Sequence, residues 1–243
     1  MAKLRLQKII ADAGICSRRK AEILLTQRRV VINGQPAKLG DKADPIIDEI
    51  IVDKYLLDKK LSRKVILLNK PVGVISTCSD PYGRTTVLSL VPPILRKGLY
   101  PVGRLDSNSR GAIILTNNGE LTLQLTHPRF SHKKTYHVWI KGLPSRKTIK
   151  RWRSGVDLNG KITMRASVEL LQSTKTKSLL QIIMKEGRNK QIRRVAELLG
   201  HSVIDLQRTA IGELQLKDLK EGSWRHLESK ELDLLTNPSR NIY

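Results

Sequence analysis

The sequence predicts an α+β fold in two units, a small N-terminal unit of two helices plus a hairpin and a larger body with a mixed, largely antiparallel sheet flanked by helices. Three observations favour this fold class. Apolar residues at helical spacing open the chain, an Asn33-Gly34 turn signal follows them, and later strand patterns interleave irregularly with helix patterns. The regular alternation that a parallel doubly wound sheet requires is not present in the pattern.

The N-terminal unit is predicted over residues 1–53. Its first helix carries apolar residues on one face and ends at Gly14; these residues are Leu6, Ile9, Ile10 and Ala13. Ser17 can cap a second helix. Asn33-Gly34 follows the apolar run 30–32 and is a strong hairpin signal, and a returning strand is expected over 49–52.

Residues 54–64 carry mixed charge without a clear period, which predicts a linker. The body is predicted over 65–235 and a polar tail over 236–243. The body opens with the apolar run 65–69, which is typical of a strand buried on both faces. A turn and a second strand over 74–77 follow. Further strands are predicted over 112–116, 136–140 and 178–184, and helices over 120–126, 145–153 and 190–199.

The net charge of the chain indicates which kinds of molecule it can bind. The chain has 243 residues, with 45 Lys and Arg against 22 Asp and Glu, and a net charge of +23. A surplus of this size favours a polyanion, so nucleic acid is the leading candidate and an anionic membrane surface is the weaker one. We expect no membrane-spanning segment and no signal segment, because the apolar stretches are too short.

Neither a metal nor a nucleotide cofactor is expected from the sequence. The five histidines form no His-Glu-x-x-His motif and no Cys/His cluster at ligand spacing, and neither glycine-rich phosphate-binding motif occurs. Cys16 and Cys78 form no Cys-x-x-Cys pair. We expect them to remain reduced thiols, which suits a cytoplasmic protein.

The segment 103–111, Gly-Arg-Leu-Asp-Ser-Asn-Ser-Arg-Gly, is the most informative part of the chain. It places the carboxylate of Asp106 between Arg104 and Arg110, and positive neighbours stabilise an ionised carboxylate. The segment resembles the central motif of the small-subunit/large-subunit family of ribosomal RNA pseudouridine synthases, with departures at Ser109, Ala112 and Asn118 where that family has Thr, Leu and Asp. The resemblance implies that Asp106 is the catalytic residue.

Other segments extend this resemblance over nearly the whole chain. Lys-Pro-x-Gly at 70–73 resembles the first family motif. The segment 133–138 resembles the one whose tyrosine packs against the target base, which points to Tyr136. Glu-Gly-Arg-Asn-Lys-Gln-Ile-Arg-Arg at 186–194 resembles the third motif, and it implies that Arg193 forms an ion pair with Asp106. Arg104 is expected to bind substrate, because an arginine can fill the gap that a flipped base leaves.

The N-terminal pattern Arg-Leu-x-Lys, Ala-Gly-x-x-Ser-Arg-Arg-x-Ala-Glu and Asn-Gly resembles the S-four-type RNA-binding domain. The resemblance implies that its basic residues contact RNA phosphates. Such contacts supply affinity and register with little sequence choice. The residues concerned are Arg5, Lys8, Arg18, Arg19, Lys20, Arg28 and Arg29.

The family implies a cofactor-independent isomerisation of one uridine to pseudouridine in large-subunit ribosomal RNA, by a monomer acting on ribosomal RNA or a pre-ribosomal particle. The same reaction on small-subunit ribosomal RNA is the first alternative. A non-catalytic ribosome assembly factor is the second, although it would not need Asp106, Tyr136 and Arg193 together. A transcription regulator is disfavoured, since no helix-turn-helix with half-site logic is apparent.

Overall fold

The computed structural model describes residues 3–57, 63–130 and 132–236. The N-terminal unit consists of two helices and six short strands. Its elements are β1 (Leu4–Arg5), α1 (Leu6–Asp12), α2 (Arg18–Thr26), β2 (Val30–Ile32), β3 (Gln35–Pro36), β4 (Lys42–Ala43), β5 (Ile50–Val52) and β6 (Tyr55–Leu56). Strands pair antiparallel in the order β3-β2-β5-β6, and β1 pairs separately with β4.

Local signals in the sequence explain the N-terminal elements. The Ser17 hydroxyl accepts a hydrogen bond from the Lys20 amide at 3.2 Å, so the predicted cap of α2 is confirmed. Asn33 and Gly34 both adopt positive φ, as the tight turn between β2 and β3 requires. The two helices pack on the sheet through a separate hydrophobic core that includes Leu6, Ile10 and Leu25.

The predicted linker begins too early. Tyr55–Leu56 forms β6 and pairs with β5, and the side chain of Leu57 is only 5% exposed in the N-terminal core. The ordered N-terminal unit therefore continues past residue 53. Residues 58–62 of the predicted linker and residues 237–243 of the predicted tail lie outside the described part of the chain. Thr236, where the tail was expected to start, is the last residue of a helix.

The body contains nine strands and five α-helices among the described residues. They are β7 (Val65–Lys70), α3 (Pro93–Arg96), β8 (Tyr100–Val102), β9 (Arg110–Thr116), α4 (Gly119–Thr126), β10 (Lys134–Lys141), α5 (Arg146–Ser154), β11 (Ser167–Ser173), β12 (Lys177–Met184), α6 (Gln191–Leu198), β13 (Val203–Ile211), β14 (Leu214–Gln215), β15 (Trp224–His226) and α7 (Ser229–Thr236). A 3₁₀ turn, Pro128–Phe130, follows α4.

The nine strands form one sheet in the order β11-β12-β10-β13-β9-β7-β15, with β14 added to β13 and β8 added to β9. Within the described residues every pairing in this sheet is antiparallel except the short parallel contact between β9 and β13. The predicted mixed, largely antiparallel sheet with flanking helices is confirmed.

Hydrophobic layers cover both faces of this sheet. Along β7, Ile66 and Leu68 face a core that includes side chains of α5 and α6, whereas Val65 and Leu67 face a core with α4 and α7. Every residue of β7 is buried, so the predicted two-sided burial of this strand is confirmed. No helix in the described ranges is both long and apolar enough to cross a bilayer.

The second strand predicted over 74–77 is wrong. This segment makes only an isolated bridge, between Ile75 and Thr86. The Gly73 amide instead donates to the Ser107 carbonyl at 2.7 Å, and the Ser76 hydroxyl bonds to Leu105. The segment is therefore held by the loop that carries Asp106.

Candidate active site

Asp106 lies on the loop 103–109, which connects β8 to the central strand β9. The backbone of this loop is tied at several points to the segment after β7. The Gly73 amide donates to the Ser107 carbonyl, and the Ser76 hydroxyl accepts from the Leu105 amide at 3.1 Å and donates to the Leu105 carbonyl at 2.9 Å. Leu105 is 7% exposed and packs in the core. These contacts fix the loop backbone on one side.

Arg193 on α6 supports the same loop from a second element. Its guanidinium donates to the Asn108 carbonyl at 2.6 Å and to the Ser109 hydroxyl at 3.3 Å. Burial lowers the pKa of Arg193, while the charges of Asp106 and Asp205 act in the opposite direction. No ion pair within 4.0 Å joins Arg193 to Asp106 in the described part of the chain, so the expected ion pair is not formed here. Arg193 holds the loop backbone instead.

Arg110 also has a different partner from the one its place in the sequence suggests. Its guanidinium forms a bidentate pair with Asp205 on β13, with the shortest contact at 2.7 Å, and reaches Glu221 at 3.4 Å. It therefore ties the start of β9 to its parallel neighbour and does not pair with Asp106. The expected pair of arginines around Asp106 is reduced to Arg104, which is exposed at the cleft described below.

Lys70 is a charged residue next to the Asp106 loop that was not predicted as a site residue, although its segment resembles the first family motif. Its side chain is fully buried, and its ammonium donates to the Pro71 carbonyl at 2.8 Å. Burial lowers its pKa to about 8, against the opposing charges of Asp106 and Glu221. The Lys-Pro-x-Gly motif could have indicated that Lys70 lies near Asp106, because the turn that this motif forms contacts the Asp106 loop.

An open cleft of about 870 Å³ lies over the loop. Arg104, Asp106 and Lys190 line it together with residues 75–81 and Arg84. The Asp106 side chain is partly exposed there. Among the residues that the structure describes, none forms a hydrogen bond or an ion pair with its carboxylate. The loop is thus fixed through its backbone, and the carboxylate oxygens remain available to a bound molecule.

Tyr136 lies in the core next to this site and does not line the cleft. It sits on β10 opposite Ile182 and Arg208, and only 8% of it is exposed. Its ring belongs to the same hydrophobic cluster as Leu105 and Ile192. Of the predicted substrate residues, Arg104 shares the cleft with Asp106, Arg193 contacts its loop, and Tyr136 is held in the packed layer that supports Leu105.

The basic side chains predicted to contact RNA lie on the N-terminal unit. All are exposed except Lys8, which is partly buried. Arg29 pairs with Asp53 at 2.5 Å. The other six form no ion pair with the residues present in the described ranges. They are Arg5, Lys8, Arg18, Arg19, Lys20 and Arg28. Nowhere in the described chain do three His, Cys, Asp or Glu side chains cluster in a way that could hold a metal ion.

Two family models match the chain. Residues 64–198 match RNA pseudouridylate synthase, and residues 4–45 match the S4 domain. The ribosomal large subunit pseudouridine synthase B of Bacillus subtilis is 38% identical over 98% of this chain and 99% of its own length. The dual-specificity RNA pseudouridine synthase RluF of Escherichia coli is 34% identical over 99% of this chain and 82% of its own.

A solved structure supports the same relationship. The crystal structure of a pseudouridylate synthase superimposes with a TM-score of 0.70 at 30% identity, and the match covers 96% of this chain and 99% of that one. The similarity therefore extends over both units of the chain, and includes the Asp106 loop, α6 and the N-terminal basic residues.

Proposed function

The chain belongs to the RNA pseudouridylate synthase family, and we propose that it isomerises one uridine of large-subunit ribosomal RNA, with Asp106 as the catalytic carboxylate. The observation that carries the proposal is the state of Asp106 in the cleft. Its loop is tied through the backbone of Leu105, Ser107 and Asn108, while its carboxylate has no partner among the described residues. A catalytic group needs this combination of fixed position and unengaged atoms.

The reaction breaks the bond between N1 of uracil and C1′ of the ribose and forms a bond between C5 and the same C1′. The proton on C5 is lost and N1 acquires one, so no group is consumed and no cofactor is required. No water is added, which removes the need for the second carboxylate of a glycosidase. One carboxylate beside the ribose is enough to assist cleavage and proton movement, and Asp106 fits this role.

The neighbouring side chains fit positioning roles around that carboxylate. The target base must leave its stack to reach Asp106, and Arg104 at the cleft can occupy the gap that it leaves. Tyr136 supports the loop from the packed layer beneath it, through the hydrophobic cluster that it shares with Leu105. Arg193 acts on Asp106 through the loop backbone at Asn108 and Ser109. The buried charge of Lys70 balances that of the carboxylate.

The choice of large-subunit RNA is supported by the Bacillus subtilis relative, whose name states that target. The N-terminal unit would hold the RNA backbone through Arg5, Lys8, Arg18, Arg19, Lys20, Arg28 and Arg29, while the cleft selects the uridine. Phosphate contacts of this kind provide affinity and orientation, whereas the cleft provides the chemistry.

The target is tested by mapping pseudouridine in total ribosomal RNA from cells with and without the gene. The expected result is the loss of one modified position from large-subunit RNA, and its return when the gene is restored. Loss confined to small-subunit RNA would replace the proposed target with the first alternative. An unchanged map, from a protein that nevertheless binds ribosomal RNA, would favour the assembly factor.

A further inference from the structure

A short loop beside the cleft is held in one conformation by a single carboxylate. Asp80 accepts four hydrogen bonds: from the backbone amides of Tyr82 at 3.1 Å and Arg84 at 3.0 Å, and from two guanidinium nitrogens of Arg84 at 3.1 and 2.6 Å. The Asp80 side chain is only 4% exposed. The Gly83 amide closes the turn on the Asp80 carbonyl at 3.3 Å. The loop is thus rigid without packing into a core.

This rigid loop presents an aromatic ring to solvent. Tyr82 is 82% exposed in a chain in which only 4% of the residues are aromatic. The ring contacts the guanidinium of Arg84, whose central carbon lies 5.3 Å from the ring centre. The arginine is held by Asp80 and still leaves 58% of its own side chain exposed. Because the aromatic ring and the guanidinium are both exposed, neither of them packs in the hydrophobic core.

The position of the loop relates this surface to Asp106. Asp80, Pro81 and Arg84 line the same cleft as Arg104 and Asp106, so Tyr82 stands at the rim of the cleft. A uridine that enters the cleft must leave its stack, and the adjacent nucleotides then lose a stacking partner. Aromatic side chains and arginine planes are the groups that stack on unpaired RNA bases.

We propose that Tyr82 and Arg84 form a stacking platform for an unpaired nucleotide next to the target uridine. The platform offsets part of the stacking energy lost when the uridine turns into the cleft, and the exposed guanidinium contacts the adjacent phosphate. This proposal rests on the proposed function, because it assumes that a uridine reaches Asp106. It adds a substrate feature, a single-stranded nucleotide beside the target.

The test compares Tyr82→Phe, which keeps an aromatic face, with Tyr82→Leu, which keeps an apolar side chain without one. The matched control is Ile94→Ala on α3, because Ile94 is 85% exposed and does not line the cleft. The probe is a ribosomal RNA fragment centred on the mapped uridine, with 2-aminopurine replacing each flanking nucleotide in turn. Melting temperature confirms that all variants fold.

Wild type, Tyr82→Phe and Ile94→Ala should quench the fluorescence of one flanking 2-aminopurine. Tyr82→Leu should lose the quenching and raise KM at least about fivefold, with kcat within about twofold, as expected for one lost stacked base. Wild-type quenching and KM in Tyr82→Leu, with product still formed, would overturn the platform and leave the proposed function intact. A wild-type protein that forms no pseudouridine in any ribosomal RNA would overturn both.

Discussion

Replacing Lys70 by Met should make the protein more stable at neutral pH and remove part of its pH dependence. Burial lowers the pKa of Lys70 from 10.5 to about 8. Each pKa unit corresponds to about 1.4 kcal/mol, so the charged side chain costs the folded state about 3 kcal/mol. The unfolded chain binds the proton more tightly between pH 8 and 10.5. The cost is therefore full below pH 8, falls as the pH rises through this window, and vanishes above it.

Urea unfolding at pH 7.5 and 9.5 measures the free-energy cost of burying the charged Lys70 side chain. Between these values the wild type should gain about 2 kcal/mol of unfolding free energy relative to Lys70→Met. Lys230→Met on α7 is the matched control, because Lys230 is exposed and stays in water in both states. An identical difference between wild type and Lys70→Met at the two pH values would refute the reasoning, since Lys70 would then not be a desolvated cation in the folded protein.

Three further predictions test the architecture around Asp106 and the N-terminal unit. Gly111→Ala should cost about 2–5 kcal/mol of unfolding free energy, because φ is +109° and a Cβ atom would overlap the Arg208 carbonyl. The control Gly40→Ala, where φ is also positive but the space is open, should cost about 1–2 kcal/mol. Thermal or urea unfolding measures both, and equal costs would contradict the close approach at Gly111. Arg193→Lys keeps the charge, but the lysine side chain is one bond shorter and does not place its nitrogen where one guanidinium nitrogen of Arg193 contacts both Asn108 and Ser109. We expect kcat to fall about 10–100-fold with little change in RNA affinity, and a wild-type kcat would contradict the positioning role. Substituting Arg18, Arg19 and Lys20 together by Gln should lower the log–log salt slope of RNA binding by about 2, and an unchanged slope would show that these residues do not contact phosphates.

Continuous apolar runs allowed the central strands to be predicted from sequence. Residues 65–68 and 112–115 are apolar because both faces of β7 and β9 are covered, and a strand with one face in solvent would alternate instead. β13 was not predicted as a central strand, because charged residues interrupt the apolar pattern by which such a strand is recognised. Asp205 pairs with Arg110, and Arg208 is buried with a bond to the Ala112 carbonyl, so two charged residues interrupt a strand that lies inside the sheet.

The sequence indicated candidate site residues, but it did not indicate the contacts that they make. Motif resemblance selected Asp106, Arg104, Tyr136 and Arg193 as a group. It could not show that Arg193 would contact the loop carbonyl of Asn108, because that bond depends on how α6 packs against a loop about eighty residues earlier. The same limit applies to Arg110 and Asp205. Long-range partners are set by packing, which leaves no local signature.

The most direct test of the account compares pseudouridine formation by wild type and Asp106→Asn on purified ribosomal RNA at equal bound fraction. The Asn side chain keeps the size of Asp and removes its charge, so melting temperature and RNA affinity should change little. The account predicts that the wild-type protein forms pseudouridine and that the Asn variant forms none above background. Comparable product from Asp106→Asn would contradict the central claim that this carboxylate performs the isomerisation.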